Sequence, residues 1–207
     1  MEDVLDVYAR PYNPEFPVIC MDESNKQLLG EVTPLIPAAP GHPLLCDDEY
    51  IRLGVANIFL EVEPLAGRRH VEITQTRTRL DYWAHFVEKM VENRYVDAKK
   101  ILLVMDNLNT HNTASLYEAF PPEKARRIAE KLEIHYTPKH GSWLNIAEIE
   151  LSVLKRQCLD RRIDSIEKMS DEVDAWESAR NNKQTQVKWH FTSKDARCRL
   201  TRLYPNL

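Results

Sequence analysis

Two hydrophobic rhythms divide the chain. As far as residue 75, apolar positions come in short runs or alternate with polar ones, as half-buried strands require. Val18-Ile19-Cys20-Met21 predicts a first strand over 17–22, and Lys26 to Val32 a second, hairpin-paired with it. Val55 to Val62 and Arg69 to Gln75 predict two more strands, with Gly67 at the turn between them. The rhythm then lengthens. Leu80, Trp83, Ala84, Val87 and Val91 recur at helical spacing, so 78–94 is expected to be an amphipathic helix. The five-residue apolar run Ile101–Met105 follows as a buried strand. Next come a short helix at 113–120 and a second at 122–132, which Pro121-Pro122 opens and Glu123 favours electrostatically. A strand at 134–137 ends at Pro138. Helices are predicted at 144–159 and at 165–181, the latter with Ser165 as N-cap. A β-like piece over 187–192 and a helix at 193–203 complete the pattern.

Strands first, then strands alternating with helices, predict an α/β protein whose mixed sheet is covered by helices on both faces. The order β-β-β-α-β-α-β-α is that of ribonuclease-H-like nucleases. In that arrangement the strand ending at Asp22 and the strand ending at Asp106 lie side by side. The expected organisation is an N-terminal tether (1–16, broken by Pro11 and Pro14), a main domain (17–182) and a tail with a short helix (183–207). Pro34, Pro37, Pro40, Gly41 and Pro43 make 33–49 an irregular surface loop.

Composition adds limits. At 207 residues with 43% hydrophobic and 29% charged side chains, the chain can bury a full core. No apolar run approaches the roughly 20 residues of a membrane span, and the acidic N-terminus is unlike a signal peptide, so a cytoplasmic location is expected. The four cysteines (20, 46, 158, 198) show no paired metal spacing, and Cys20 and Cys158 fall on apolar stripes as core residues. Net charge is −4, but it is unevenly spread: residues 1–99 hold 10 basic and 17 acidic side chains, residues 100–207 hold 18 and 15. Charge alone does not point to nucleic acid.

Three carboxylates stand in settings poor for packing and good for chemistry. Asp22 and Asp106 each end an apolar strand, and Glu148 lies on the predicted helix 144–159. Oxygen ligands dispersed in sequence suit magnesium or manganese, and two such ions can serve an in-line phosphoryl displacement. Glu150 competes with Glu148, since residues two apart on a helix face different ways. Periodicity does not choose between them. Glu23 is expected to point away from Asp22 and to be structural, and Asp47, Asp48 and Glu49 to be a solvated loop.

The segments Asp106-Asn107-Leu108-Asn109-Thr110-His111-Asn112 and Thr137-Pro138-Lys139-His140-Gly141-Ser142-Trp143-Leu144-Asn145-Ile146-Ala147-Glu148 resemble the second and third catalytic motifs of DDE transposases, specifically the mariner-related insertion-sequence-630 family. Val18 to Glu23 resembles the first motif, and the similarity runs through essentially the whole chain. The resemblance implies that Asp22, Asp106 and Glu148 hold two magnesium (or manganese) ions, and it decides for Glu148, which follows Asn145 by three. It implies cleavage and strand transfer on double-stranded DNA, at transposon ends and target, by a homodimer. The 42-residue separation of Asp106 and Glu148 is longer than usual, a difference the helical stretch 113–132 can absorb.

Around these acids, His111 either contacts a phosphate or metal-bound water, or bonds loop backbone. Asn107, Asn109 and Asn145 can orient carboxylates or cap a helix. Lys139, His140, Lys155 and Arg156 are the expected DNA contacts, since backbone contacts position the duplex. Arg161 and Arg162 extend that basic run. Trp143 either stacks on a flipped base or anchors the core. No tri-helical DNA-reading module precedes Asp22, so either the chain is a fragment or the DNA-binding half is encoded separately. A structure-selective nuclease of the same fold and a decayed, non-enzymatic interaction domain are the competing readings.

Overall fold

The computed structural model describes residues 1–45, 47–76, 83–108 and 111–204. Five strands, β1 (Val18–Glu31), β2 (Tyr50–Glu63), β3 (Arg68–Thr74), β4 (Ile101–Met105) and β5 (Leu132–Tyr136), form one sheet in the order β3-β2-β1-β4-β5. The β1–β2 and β2–β3 pairs are antiparallel, while β1–β4 and β4–β5 are parallel. The expected neighbouring of β1 and β4 is present. Their register pairs Cys20 with Val104, so Asp22 and Asp106 come off the two strands at the same level.

β4 is buried along its whole length, and its side chains alternate between two cores. Leu102 and Val104 join Cys20, Leu60 and Val62 under the C-terminal helices. Ile101, Leu103 and Met105 join Ile19, Met21 and Phe59 under α2 (His85–Lys89, continued by a π-helical turn to Arg94), α3 (Ala114–Ala119) and α4 (Pro122–Glu130). The first face carries α5 (Ile146–Leu154, continued by a π-helical turn Lys155–Leu159), α6 (Ile166–Asn182) and α7 (Ser193–Arg199). Ser165 caps α6, its hydroxyl accepting from the Lys168 amide. The free cysteines Cys20 and Cys158 are buried. No described helix is long and apolar enough to cross a membrane.

Several elements differ from the sequence expectation. The two strands expected at 17–22 and 26–32 are one 14-residue strand. Asp22-Glu23-Ser24-Asn25 reads as a break, yet each of these residues pairs across to β2, from Asp22 with Leu60 to Asn25 with Asn57. A ladder to a neighbour overrides weak local strand preference. The bend comes later, where the register shifts between Leu28 and Leu29. Where a tether was expected, Glu2–Tyr8 form α1, with Val4, Leu5 and Val7 wholly buried. A one-sided trio of apolar residues at helical spacing explains it, each worth roughly 1.5–3 kcal/mol on burial. The 187–192 piece is extended but joins no strand of the sheet; the Val187 amide donates to the Pro64 carbonyl. Leu80, at the start of the helix expected over 78–94, and Cys46 lie outside the described residues.

Candidate active site

Asp22 sits mid-strand on β1 and is only 9% exposed. Its Oδ1 accepts from the Glu23 amide (2.7 Å), and its Oδ2 accepts from the Asn145 side-chain amide (3.3 Å). Burial first, and then the nearby charges of Asp106 and Glu148, push its carboxyl up to about 7, against the partial relief of the Glu23 amide and His111. The three acids that lie far apart in sequence are therefore close enough to feel one another. Asp22, Glu23, Glu148, Leu151 and Lys155 line one open groove of about 560 Å³ between β1 and α5.

Asn145 builds the junction between strand and helix. Its side-chain oxygen accepts from the Ala147 amide and caps α5, while its amide donates to the Met21 carbonyl (2.9 Å) as well as to Asp22. Tyr8 on α1 supports the same junction: its hydroxyl donates to the Leu144 carbonyl (2.8 Å) and accepts from the Ile146 amide (3.4 Å). Nothing local in the sequence marks Tyr8, because its partners Leu144 and Ile146 lie more than 130 residues away.

Asp106, just past β4, is held by His111. The imidazole Nδ1 is 2.6 Å from Asp106 Oδ1, and Nε2 is 3.4 Å from Glu23 Oε2. The ring is 1% exposed, lies parallel to Trp83 at 6.5 Å, and its backbone carbonyl accepts from the Tyr136 hydroxyl (2.9 Å). Burial pulls the imidazole down, but the hydrogen bonds to Asp106 and Glu23 outweigh it and raise its pKa to about 9. At neutral pH an imidazolium thus donates to both carboxylates. Glu23, expected to point away from Asp22 and to be structural, reaches His111 and also lines the groove beside Asp22.

Glu150 is elsewhere. It is 1% exposed, and one of its oxygens meets Arg69 (3.1 Å) and Arg180 (2.7 Å), tying α5 to β3 and α6. The acid of this helix that lines the groove is Glu148.

The turn from β5 to α5 carries the next group of expected residues. Thr137 donates its amide to the Met105 carbonyl, so the turn begins level with Asp106. Gly141 packs against Pro138 so tightly that a Cβ there would lie 2.5 Å from the proline ring. Lys139 and His140 are exposed on this turn, with His140 at φ +63°. Trp143 is 45% exposed rather than a core anchor; the neighbouring Leu144 is the buried residue. Asn107 is exposed after β4, and Asn109 lies outside the described residues. Lys155 lines the groove, whereas Arg156 is exposed beside it and bonds the Ser152 carbonyl. Arg161 pairs with Glu172, and Arg162 pairs with Glu31 and binds the backbone carbonyls of Asp47, Asp48 and Glu49, so these two basic residues brace structure. The acidic 47–49 loop is exposed.

Among the described residues no three His, Cys, Asp or Glu side chains already form a ready cage for one ion. The donor chemistry still fits a hard divalent cation. Asp22, Asp106 and Glu148 offer only oxygens, and the charges of Asp106 and Glu148 add to burial in raising the carboxyl of Asp22, a penalty a cation would relieve.

A family model described as DDE superfamily endonuclease matches residues 17–170, well over half of the chain. No curated protein matches by sequence. Among solved structures the chain resembles the Mos1 mariner paired end complex with Mn, at TM-score 0.59 and 14% identity over 88% of this chain and 54% of that one. It also resembles the Mos1 Strand Transfer Complex (0.60, 13%, 88% and 53%) and a pre-cleavage Mos1 transpososome (0.54, 14%, 88% and 58%). At such identity the likeness establishes the ribonuclease-H-like fold. The chain spans just over half the length of the Mos1 chains it matches.

Proposed function

The chain belongs to the DDE superfamily endonucleases, and from that premise we propose that it is the catalytic domain of a DNA transposase of the mariner-related insertion-sequence-630 family. It cleaves and joins strands of double-stranded DNA, transposon ends and target, using two magnesium or manganese ions held by Asp22, Asp106 and Glu148. The observation that carries this reading is the groove between β1 and α5, which Asp22 and Glu148 both line and where Asn145 ties the strand to the helix. Asp22, Asp106 and Glu148 would hold the ions, the carboxyl of Asp22 lying within electrostatic reach of the other two. The bound ions supply Lewis-acid activation of the attacking hydroxyl and stabilisation of the leaving oxygen.

The chain's own residues do the rest. Asn145 donates to Asp22 and keeps its second oxygen oriented toward the helix side. His111 restrains Asp106 and offsets part of the acidic charge while no DNA is bound. Lys139, His140, Lys155 and Arg156 take phosphates along the groove and its rim, setting the strand in line without reading sequence. Mos1 structures include paired-end complexes, and pairing two ends supports a homodimer on DNA.

The test is nicking of supercoiled plasmid with manganese or magnesium, followed by joining of pre-cut ends. Asp106→Asn keeps shape and removes ligand charge, so nicking is expected to fall by a factor of about a thousand or more while circular dichroism is unchanged. Nicking by Asp106→Asn at the wild-type rate overturns the reading. Hydrolysis without joining reduces it to a nuclease of the same fold.

A further inference from the structure

Trp143 is a large aromatic left nearly half exposed (45%) two residues before the amide that holds Asp22. It is not isolated. Its ring lies nearly parallel to Trp189 (6.4 Å, 24°) and edge-on to Phe191 (5.8 Å, 70°), and Trp189 is backed in turn by Tyr8 (5.3 Å, 49°). The result is a ledge of rings running from the core out to solvent. Burial does not explain its outer end, since the same turn gives Leu144 complete burial and leaves the bulkier indole out.

The two segments that carry the ledge are rich in basic residues. Residues 137–147 contain Lys139 and His140 and no acid. Residues 183–199 contain Lys183, Lys188, Lys194, Arg197 and Arg199 against Asp195 alone, and Asp195 is engaged in the capping box with Thr192. Arg197 is paired with Glu2. Along the extended stretch, Val187, Trp189 and Phe191 face inward while Lys188 and His190 are exposed. Aromatic rings interleaved with exposed cations are the pattern by which proteins hold unpaired nucleotides, bases on rings and phosphates on cations. A paired duplex hides its base faces and cannot use the rings.

We propose that Trp143, with Trp189 and Phe191 behind it and Lys139, Lys188 and His190 around it, is a docking ledge for unpaired bases of a DNA strand adjoining the catalytic groove. This rests on the DNA-processing reading above. It adds that the protein grips a frayed or single-stranded end, and so favours DNA whose terminal bases are already parted.

The test is fluorescence polarisation without metal, using the full chain and labelled single-stranded 12-mers, a blunt duplex of the same sequence, and a strand made abasic at its central positions. The single strand is expected to bind more tightly than the duplex. Trp143→Ala is expected to weaken it about tenfold or more, Trp143→Phe to keep most of the affinity, and the abasic strand to be indifferent to Trp143→Ala. Thermal melts of both variants check the fold. Equal single-strand affinity for wild type and Trp143→Ala overturns the proposal, as does an abasic strand that loses as much as the intact one. A change in self-association on Trp143→Ala with single-strand affinity untouched also overturns it, assigning the ledge to a protein partner. Base-dependent binding in a protein that does not nick would retain the ledge and remove the enzymatic reading, so the two failures are separable.

Discussion

His111 joins two carboxylates that chain alternation sends to different places: its Nδ1 is 2.6 Å from Asp106 and its Nε2 is 3.4 Å from Glu23. The buried ring of His111 thereby braces Asp106 just past the end of β4. His111→Asn is expected to lower nicking about 10–100-fold at limiting manganese and to recover part of that loss as manganese is raised, as for other side chains that orient metal ligands. A metal titration of the initial rate decides it; an unchanged half-saturating concentration would contradict the bracing role.

Asp22 makes the metal-free protein sensitive to pH. Its folded pKa of about 7 lies above the ordinary 3.8, so its protonated form is favoured by folding. That contribution is complete below pH 3.8 and is lost as pH rises through 7. With about 1.4 kcal/mol per unit the loss is up to about 4 kcal/mol. Asp22→Asn is expected to flatten the fall in Tm between pH 4 and 7. The same proton competes with a cation, so manganese is expected to raise Tm far more at pH 8 than at pH 5.5, with apparent affinity falling about tenfold per pH unit below 7. Scanning calorimetry with and without manganese measures both.

The two acids of α5 are expected to fail in opposite ways. Glu150→Gln strands Arg69 and Arg180, at a cost of about 3–5 kcal/mol, or roughly 10 °C in Tm. Glu148→Gln removes charge from a site already crowded with acids. It is expected to keep or raise Tm and to abolish nicking. Melting and nicking on the two proteins separate anchor from ligand.

Leu5 tests whether α1 is part of the core. Its side chain is 2% exposed among Val4, Val7 and the residues beneath α5, so Leu5→Ala is expected to cost about 2–5 kcal/mol in urea unfolding. A loose tether would give no change.

Much of this architecture was legible because burial leaves a plain signature. Ile101–Met105, wholly apolar, could only be an interior strand, and Asp106 at its end was conspicuous for that reason. What escaped notice depended on partners remote in sequence. Asp22 to Asn25 hold strand geometry through β2, which no local window contains. Glu148 and Glu150 differ in nothing that periodicity measures; their contrast arises from Arg69 and Arg180, some 80 residues before and 30 after. The Glu23–His111 contact and the Trp143 ledge likewise form between separate elements.

The Glu150 anchor also acts as a registration pin. Successive residues advance about 100° around a helix, so Glu148 stands about 200° from Glu150, and seating one in the interior aims the other outward. At the upstream end Asn145 clips the same helix to Asp22. Inserting or deleting one residue between Asn145 and Glu150 would therefore leave one fastening undone: either the amide releases its aspartate, or two arginines are stranded inside the protein.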